Sequence, residues 1–469
     1  MTCREFDSPR LHNEIKETQA SGPGVFRFRE PTVEHSVNGK QDVGSAECSL
    51  HDHLREAHEV SESYASLALP ELADRRLSIR LTKDALRQVR GGHPWVYAES
   101  ISTVSDDQAA PGTLAVVFDD NRKFVAIGLW DPTSPIRLRV LHVGKPRQID
   151  TTFWASAVAS AWDVRQPLLN SGTTGWRWIN GENDGLGGLI VDRYDGTIVV
   201  KLYTSAWLPH FRSVLDAIVE KDAPERIVLR LGRNMQADVS SDLRDGMVIY
   251  GSAPSGEVEF TENGLRFGAD VLRGQKTGHF LDQRDNRVFI GTQSNGADVL
   301  DVFCCTGGFT VHACAHDARS VHSVDISQPA MDAVEANLAR NGFTSVPHRR
   351  SVGDAFEVLD ALGQAEDSYD VVIVDPPAFA TKASERDRAI RAYRKLTELA
   401  LPLVRPGGRL FQASCSSRVT EDDLVATVRA AVVGHGRELE DTQVFGHALD
   451  HPVTFPQGRY LKAFTGNIR

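Results

Sequence analysis

The sequence predicts an α/β protein organised around a mostly parallel sheet, with a small β-barrel and an α+β segment ahead of it. Strand and helix signals alternate through roughly the last 200 residues, the pattern of βαβ units whose helices cover a sheet. Between Leu77 and Val143 the signals are short Val-, Ile- and Leu-rich runs broken by Asp, Asn, Gly or Pro, as in a barrel of short strands. At 469 residues the chain also exceeds what one hydrophobic core usually organises, so two or three domains and a tail are expected.

Composition narrows the class. Hydrophobic residues make up 41% and charged residues 25%, which excludes fibrous and broadly disordered chains. No run approaches the roughly 20 apolar residues of a membrane-spanning helix. The charged start MTCREFDSPR has no apolar signal region, so a cytoplasmic location without a membrane partner is expected. Cys3, Cys48, Cys304, Cys305, Cys314 and Cys415 show neither a disulfide framework nor paired zinc spacing, and reduced thiols are expected. The net charge of −11 argues mildly against nucleic acid, but it is unevenly spread. Residues 1–75 carry 14 Asp/Glu against 8 Lys/Arg, whereas residues 76–150 carry 8 against 11.

The segment up to about Asp74 is polar and broken by SGPG, and is expected to stay outside the fold. Its His51, His53 and His58 have no nearby Cys or second ligand cluster, and no metal is assigned. The barrel strands are LSIRL, GTLAVVFDD, FVAIGLW and IRLRVLHV. Among them RQVRGGHPWVYAESI sets Arg87 and Arg90 before a Gly-Gly turn, then Trp95 and Tyr97, a mixture of charge and stacking surface used by RNA-binding modules. Taken alone, the two aromatics read as core. The α+β segment holds the helix FWASAVASAWDV and the strands GLIVDRY, TIVVKLY and RIVLRLG; nothing in its GENDGLGG turns identifies a catalyst.

In the alternating part, ligands are expected beyond the carboxyl ends of the strands. DVLDVFCCTGGFT ends a strand near Phe303 and reaches Gly307 and Gly308, where the backbone turns sharply beside a ligand. It lacks full GxGxxG spacing, which favours a cofactor with no pyrophosphate to cradle. SVHSVDIS ends in Asp325, placed to accept hydrogen bonds from ribose hydroxyls. Asp354 in SVGDAFEVL falls where an adenine amino group would be read; either acid alone reads as a helix cap. The set resembles motifs I, II and III of class I methyltransferases, which implies S-adenosylmethionine.

A fourth strand, YDVVIVDPPAF, ends in Asp375, Pro376 and Pro377, and the fixed φ of consecutive prolines makes a rigid wall able to hold a polar group against a flat base. The fifth, GGRLFQASCSS, brings Cys415 to the same edge. Carbon 5 of a pyrimidine is a weak nucleophile, so a thiolate adding to carbon 6 first would activate it. Asp375 would meet the base near ring nitrogen 3. Most cysteines of this kind are small buried hydrophobes, which is the reading kept for Cys304, Cys305 and Cys314.

From Leu77 onward the chain resembles the RlmI-type family of large-subunit ribosomal RNA cytosine-5 methyltransferases. GGHPWVY, ENDGLGGLIVDRY, GQKTGHFLDQRDNR, DVFCCTGGF, VDPPAF, SCSS and DHPVTFPQGRYLK carry the likeness. The resemblance implies a PUA-like RNA-binding domain over 76–149, a central α+β domain over 150–265 and a Rossmann-like methyltransferase domain over 266–469, behind an acidic extension over 1–75. It implies catalysis by Cys415 with Asp375, and S-adenosylmethionine held by Phe303, Gly307, Gly308, Asp325, Asp354, Asp282, Gln283 and Pro376. It further implies ribosomal RNA met by Arg87, Arg90, Trp95, Lys276 and Arg284, and leaves a homodimer open.

The pattern is not matched everywhere. Gly187 stands where the family usually has proline, Ser417 where similar sequences often have His, and Ala378 where two-cysteine enzymes place a second thiol. Two other readings stay open. One is methyl transfer to a base nitrogen, which needs no thiol. The other is a non-catalytic RNA-binding role in ribosome assembly.

Overall fold

The computed structural model describes residues 64–236 and 243–469. Most of the acidic extension, with Cys3, Cys48, His51, His53 and His58, lies outside the described residues. The part inside corrects the expectation that everything up to Asp74 stays off the fold. Tyr64 and Leu67 are buried in the core of the central domain. The Tyr64 hydroxyl donates to Asp216 at 2.9 Å, and Arg212 donates to the carbonyls of Ala65 and Leu67. An aromatic anchor and satisfied carbonyls outweigh the polar composition around them.

The first domain comprises β1 (Leu77–Leu81), β2 (Trp95–Tyr97), β3 (Ile101–Val104), β4 (Leu114–Phe118), β5 (Phe124–Trp130) and β6 (Ile136–Val143), ordered β2-β6-β5-β4-β1-β3. The helix Lys83–Arg90, capped by the Thr82 hydroxyl, touches β1, β2, β5 and β6. An eight-residue helix is only about 12 Å long, so contact with strands so far apart in the order requires the sheet to curl around it as a barrel.

The central domain sets the helices Thr151–Leu169 and Phe211–Asp222 beside β7 (Gly175–Asn180), β8 (Leu189–Tyr194), β9 (Thr197–Leu202), β10 (Arg226–Leu231) and β11 (Met247–Gly251), neighbours in that order. Its core is rich in tryptophan: Trp162 meets Trp176 and Trp178 edge-on at 5.0 and 4.7 Å. The antiparallel hairpin β12 (Val258–Glu262) and β13 (Leu265–Ala269) contacts β7 and β8 on one side and the helix Gln328–Arg340 on the other. It therefore bridges the central sheet and the C-terminal layers, and the boundary expected at 265/266 falls inside it.

The C-terminal sheet contains β14 (Asp298–Val302), β15 (Ser320–Asp325), β16 (His348–Val352), β17 (Tyr369–Val374), β18 (Val404–Ser414), β19 (Leu439–Phe445) and β20 (Lys462–Ile468). Their order is β16-β15-β14-β17-β18-β20-β19, with β20 antiparallel between β18 and β19. Alternate residues feed two cores, one on each face: Val371 and Ile373 enter one, Val372 and Val374 the other. The strand order reverses between β14 and β17, which opens a crevice at their carboxyl ends. No helix among the described residues is long and apolar enough to cross a membrane.

Candidate active site

The loop after β14 turns back on itself through positive φ at Phe303, Cys305 and Gly307. A side chain at Gly307 would press on Val334 and one at Gly308 on Arg287, so both glycines permit close packing of the helix Gly308–Ala315 as well as the turn. Asp325, at the tip of β15, accepts from the backbone amides of Cys305 at 3.0 Å and Ser327 at 2.9 Å and so fixes this loop from the side. Asp354 caps the helix Ala355–Gln364 by accepting from the Phe356 amide with Oδ1. Cys304 and Cys314 are buried, as read from the sequence, and Cys305 is half-buried.

Asp375 follows β17. Its Oδ2 accepts a hydrogen bond from the Gln283 amide at 2.8 Å. Burial, reinforced by the neighbouring Asp282 charge, pushes the Asp375 carboxyl up to about 7. Asp282 itself is buried and bound by Lys276 at 2.7 Å and the Tyr460 hydroxyl at 2.8 Å. Burial alone would raise its pKa, but the Lys276 ammonium leads the effects that hold it well below the usual carboxylate range. Its Oδ1 is buried and has no hydrogen-bond partner among the described residues, and the same holds for Asp301 Oδ1 under the loop.

Cys415 follows β18 between two fully buried serines. Ser414 donates to the Tyr393 hydroxyl at 2.9 Å, and Ser416 donates to the Ala380 carbonyl at 2.8 Å. With its neighbours pinned inward, the half-buried Cys415 side chain faces the proline wall, its thiol 3.9 Å from the Pro376 carbonyl oxygen. Lys462, opposite Ser414 in the antiparallel ladder, is buried and donates to the carbonyls of Ser416 and Tyr460. Burial lowers its ammonium to about 8, against the pull of Cys415.

Arg284 departs from expectation. Its side chain is 1% exposed and is engaged with Asp450 at 3.0 and 2.9 Å, so it is unavailable to RNA phosphate. Lys276 is more accessible, but its ammonium lies on Asp282 and over the Phe280 ring at 4.2 Å. Trp95 is half-buried at a junction of three domains. Its indole N–H donates to Glu182 at 2.8 Å, and its ring meets Phe455 edge-on at 5.0 Å. Both contacts join the barrel to the other two domains. Arg87 and Arg90 are exposed, each on a nearby aspartate.

Asp450, Glu262 and Lys462 escaped the residue-level reading. Asp450 also accepts from the Arg177 amide at 2.8 Å, while its carbonyl accepts from Arg165, tying the central sheet to the crevice. Glu262 binds Arg287 and His312 in a buried cluster. Asp450 and Lys462 stand within DHPVTFPQGRYLK, so the only available signal was their membership of that run.

Residues 248–447 match the S-adenosylmethionine-dependent methyltransferase family, and residues 79–142 match a PUA-like domain. A ribosomal RNA large subunit methyltransferase from Deinococcus radiodurans is 44% identical over 404 residues, spanning 85% of this chain and 98% of the relative. The chain belongs to this methyltransferase family. Ribosomal RNA large subunit methyltransferase I of Photobacterium profundum, another relative, is 34% identical over 400 residues, 84% of this chain and 99% of its own. A structure described as a SAM-dependent methyltransferase from Streptococcus mutans shares the fold, with a TM-score of 0.70 at 19% identity over 83% of this chain and 99% of its own. A second, solved in complex with SAH, matches with the same TM-score at 20% identity over 84% and 99%.

S-adenosylmethionine, the cofactor of this family, fits the residues present. A turn of unusual backbone geometry ends β14, acids stand at the tip of β15 and past β16, and the buried Asp282 oxygen without a partner suits a cationic amino group. Asp325, Asp354 and Asp282 would hold it, with Phe303, Gly307 and Gly308 shaping the loop and Gln283 and Pro376 bordering the crevice.

Proposed function

We propose that this methyltransferase forms 5-methylcytosine in large-subunit ribosomal RNA through a covalent Cys415 adduct. The curated relatives are named as ribosomal RNA large subunit methyltransferases, which supports the substrate class. The observation that carries the chemistry is the Cys415 thiol facing the Pro376 carbonyl at 3.9 Å on the same edge as Asp375.

S-adenosylmethionine supplies an electrophilic methyl group when bound. The protein prepares the acceptor. Cys415 thiolate adds to carbon 6 of the cytosine, and the ring pair of electrons moves toward carbon 5 and nitrogen 3. Asp375, protonated near neutral pH, donates to nitrogen 3 and neutralises that charge, leaving carbon 5 electron-rich. Gln283 occupies the other carboxyl oxygen and so orients the proton. After methylation water takes the carbon 5 proton, since Ala378 stands where two-cysteine enzymes carry a second thiol; the carbon 5–carbon 6 double bond re-forms, the thiolate leaves, and nitrogen 3 returns its proton to Asp375. Lys462 beside the Cys415 segment favours the thiolate.

Mass spectrometry of nucleosides from RNA treated with the protein tests the product. The expected result is 5-methylcytidine; a methyl group on a base nitrogen would replace this reading with the thiol-free one. Cys415→Ala is expected to lose well over ~100-fold in rate, more than one missing hydrogen-bond donor costs, while its affinity for S-adenosylmethionine stays unchanged.

A further inference from the structure

The helix Arg386–Ala400 joins β17 to β18 and therefore starts at the catalytic edge of the sheet. Its buried side, Ala389, Tyr393, Leu396, Thr397 and Ala400, packs on the strands, and Tyr393 reaches Ser414 beside Cys415. Arg388, Arg391 and Lys395 are all exposed. At 3.6 residues per turn their spacing confines them to about 60° of the surface, turned away from the buried side. They extend along about 10 Å of the axis.

The other charged side chains of this helix are paired. On the same helix Arg386 lies on Asp423 and Arg394 on Glu398, and Asp387 is turned to Arg386. Arg388, Arg391 and Lys395 form no ion pair among the described residues. A row of exposed like charges repels itself by a few tenths of a kcal/mol per neighbouring pair on an isolated helix. A polyanion relieves that repulsion and gains by releasing its counterions.

We infer that Arg388, Arg391 and Lys395 form a docking stripe for the phosphodiester backbone of the RNA whose base enters the Cys415 crevice. The inference rests on the RNA methyltransferase reading and adds a contact surface outside the barrel domain. Phosphate contacts of this kind fix register and orientation without reading sequence. The stripe holds the strand next to the proline wall, where a single flipped base must be kept still.

The test compares the full-length protein with the triple variant Arg388→Gln, Arg391→Gln, Lys395→Gln. Binding of a ribosomal RNA fragment is titrated at several salt concentrations. The variant is expected to keep its melting temperature and its affinity for S-adenosylmethionine, while the slope of log K against log salt becomes shallower by about 2 to 3. Its KM for RNA rises with little change in kcat. An unchanged slope overturns the stripe while leaving the RNA reading in place. Tighter RNA binding by the variant also overturns it, and assigns the face to another polyanion such as the acidic segment 1–63. Failure of the parent protein to bind RNA at all removes the underlying reading instead.

Discussion

Arg284 and Asp450, 166 residues apart, form a two-pronged ion pair with both side chains buried. Removing one partner of such a pair leaves an uncompensated charge in the interior and costs about 3–5 kcal/mol. Asp450→Ala is expected to lower the thermal midpoint by several degrees. Arg284→Met combined with Asp450→Leu should recover much of that loss, because two apolar groups of similar size need no counter-charge. Scanning calorimetry of the three proteins decides; a double variant no better than the single would place the loss in the Arg177 amide and His451 that Asp450 also binds.

The Asp375 carboxyl should leave its mark on the pH profile. Its ordinary value of 3.8 is raised to about 7 in the fold. The fold thus favours the protonated form, whose contribution to stability is complete below about pH 4 and is lost as pH rises through about 7. Asp375→Asn has no such proton to lose, so its stability relative to the parent should climb between about pH 4 and about pH 7 and level off above that. In the parent, kcat/KM should fall on the alkaline side of neutrality as the donor is lost. Parallel melting curves across that range would contradict the protonated-donor role.

Asp325 is expected to set cofactor affinity. Hydrogen bonds to a charged group contribute about 1.5–3 kcal/mol each, so Asp325→Ala should weaken S-adenosylmethionine binding by at least tenfold in calorimetric titration. Asp325→Asn keeps an acceptor for the Cys305 or Ser327 amide and should lose less. RNA affinity should be the same in all three proteins. A loss confined to Asp325→Ala, with Asp325→Asn matching the parent, would make the residue a brace for the loop rather than a ligand for ribose.

Lys462→Met replaces a buried ammonium with a side chain of similar reach. The acid limb of kcat/KM should move to higher pH as the Cys415 thiol becomes harder to ionise. Alkylation of Cys415 by iodoacetamide should slow at neutral pH and recover in alkali. Should the alkylation rate match the parent at every pH, Lys462 only supports the backbone carbonyls it binds.

Much of the crevice was legible because strand-end acids and prolines are local signals. Asp325, Asp375 and Cys415 each follow an apolar run whose period and length announce a strand, and topology then brings the tips together. Asp354 shows the limit: its cap geometry satisfies the bland reading while keeping it beside the crevice. Arg284 was misread because burial of a charged side chain depends on a distant partner, here Asp450, and the contacts of Trp95 with Glu182 and Phe455 were hidden for the same reason. The same blindness hid β19, which gains its place only by pairing at the sheet edge, and β20, which is held between β18 and β19. Tyr64 and Leu67, enclosed in a polar stretch, found a pocket that no local pattern announces.

The indole of Trp95, bonded to Glu182 and seated on Phe455, has a consequence for substrate choice. Three modules clamped at one residue cannot swing independently, so the barrel and the thiol behave like the jaws of a caliper set to a single opening. Under the proposed 5-methylcytosine reading, target selection becomes a matter of measured reach: among chemically identical cytosines, the one modified is the one that lies the right distance from whatever the barrel grips.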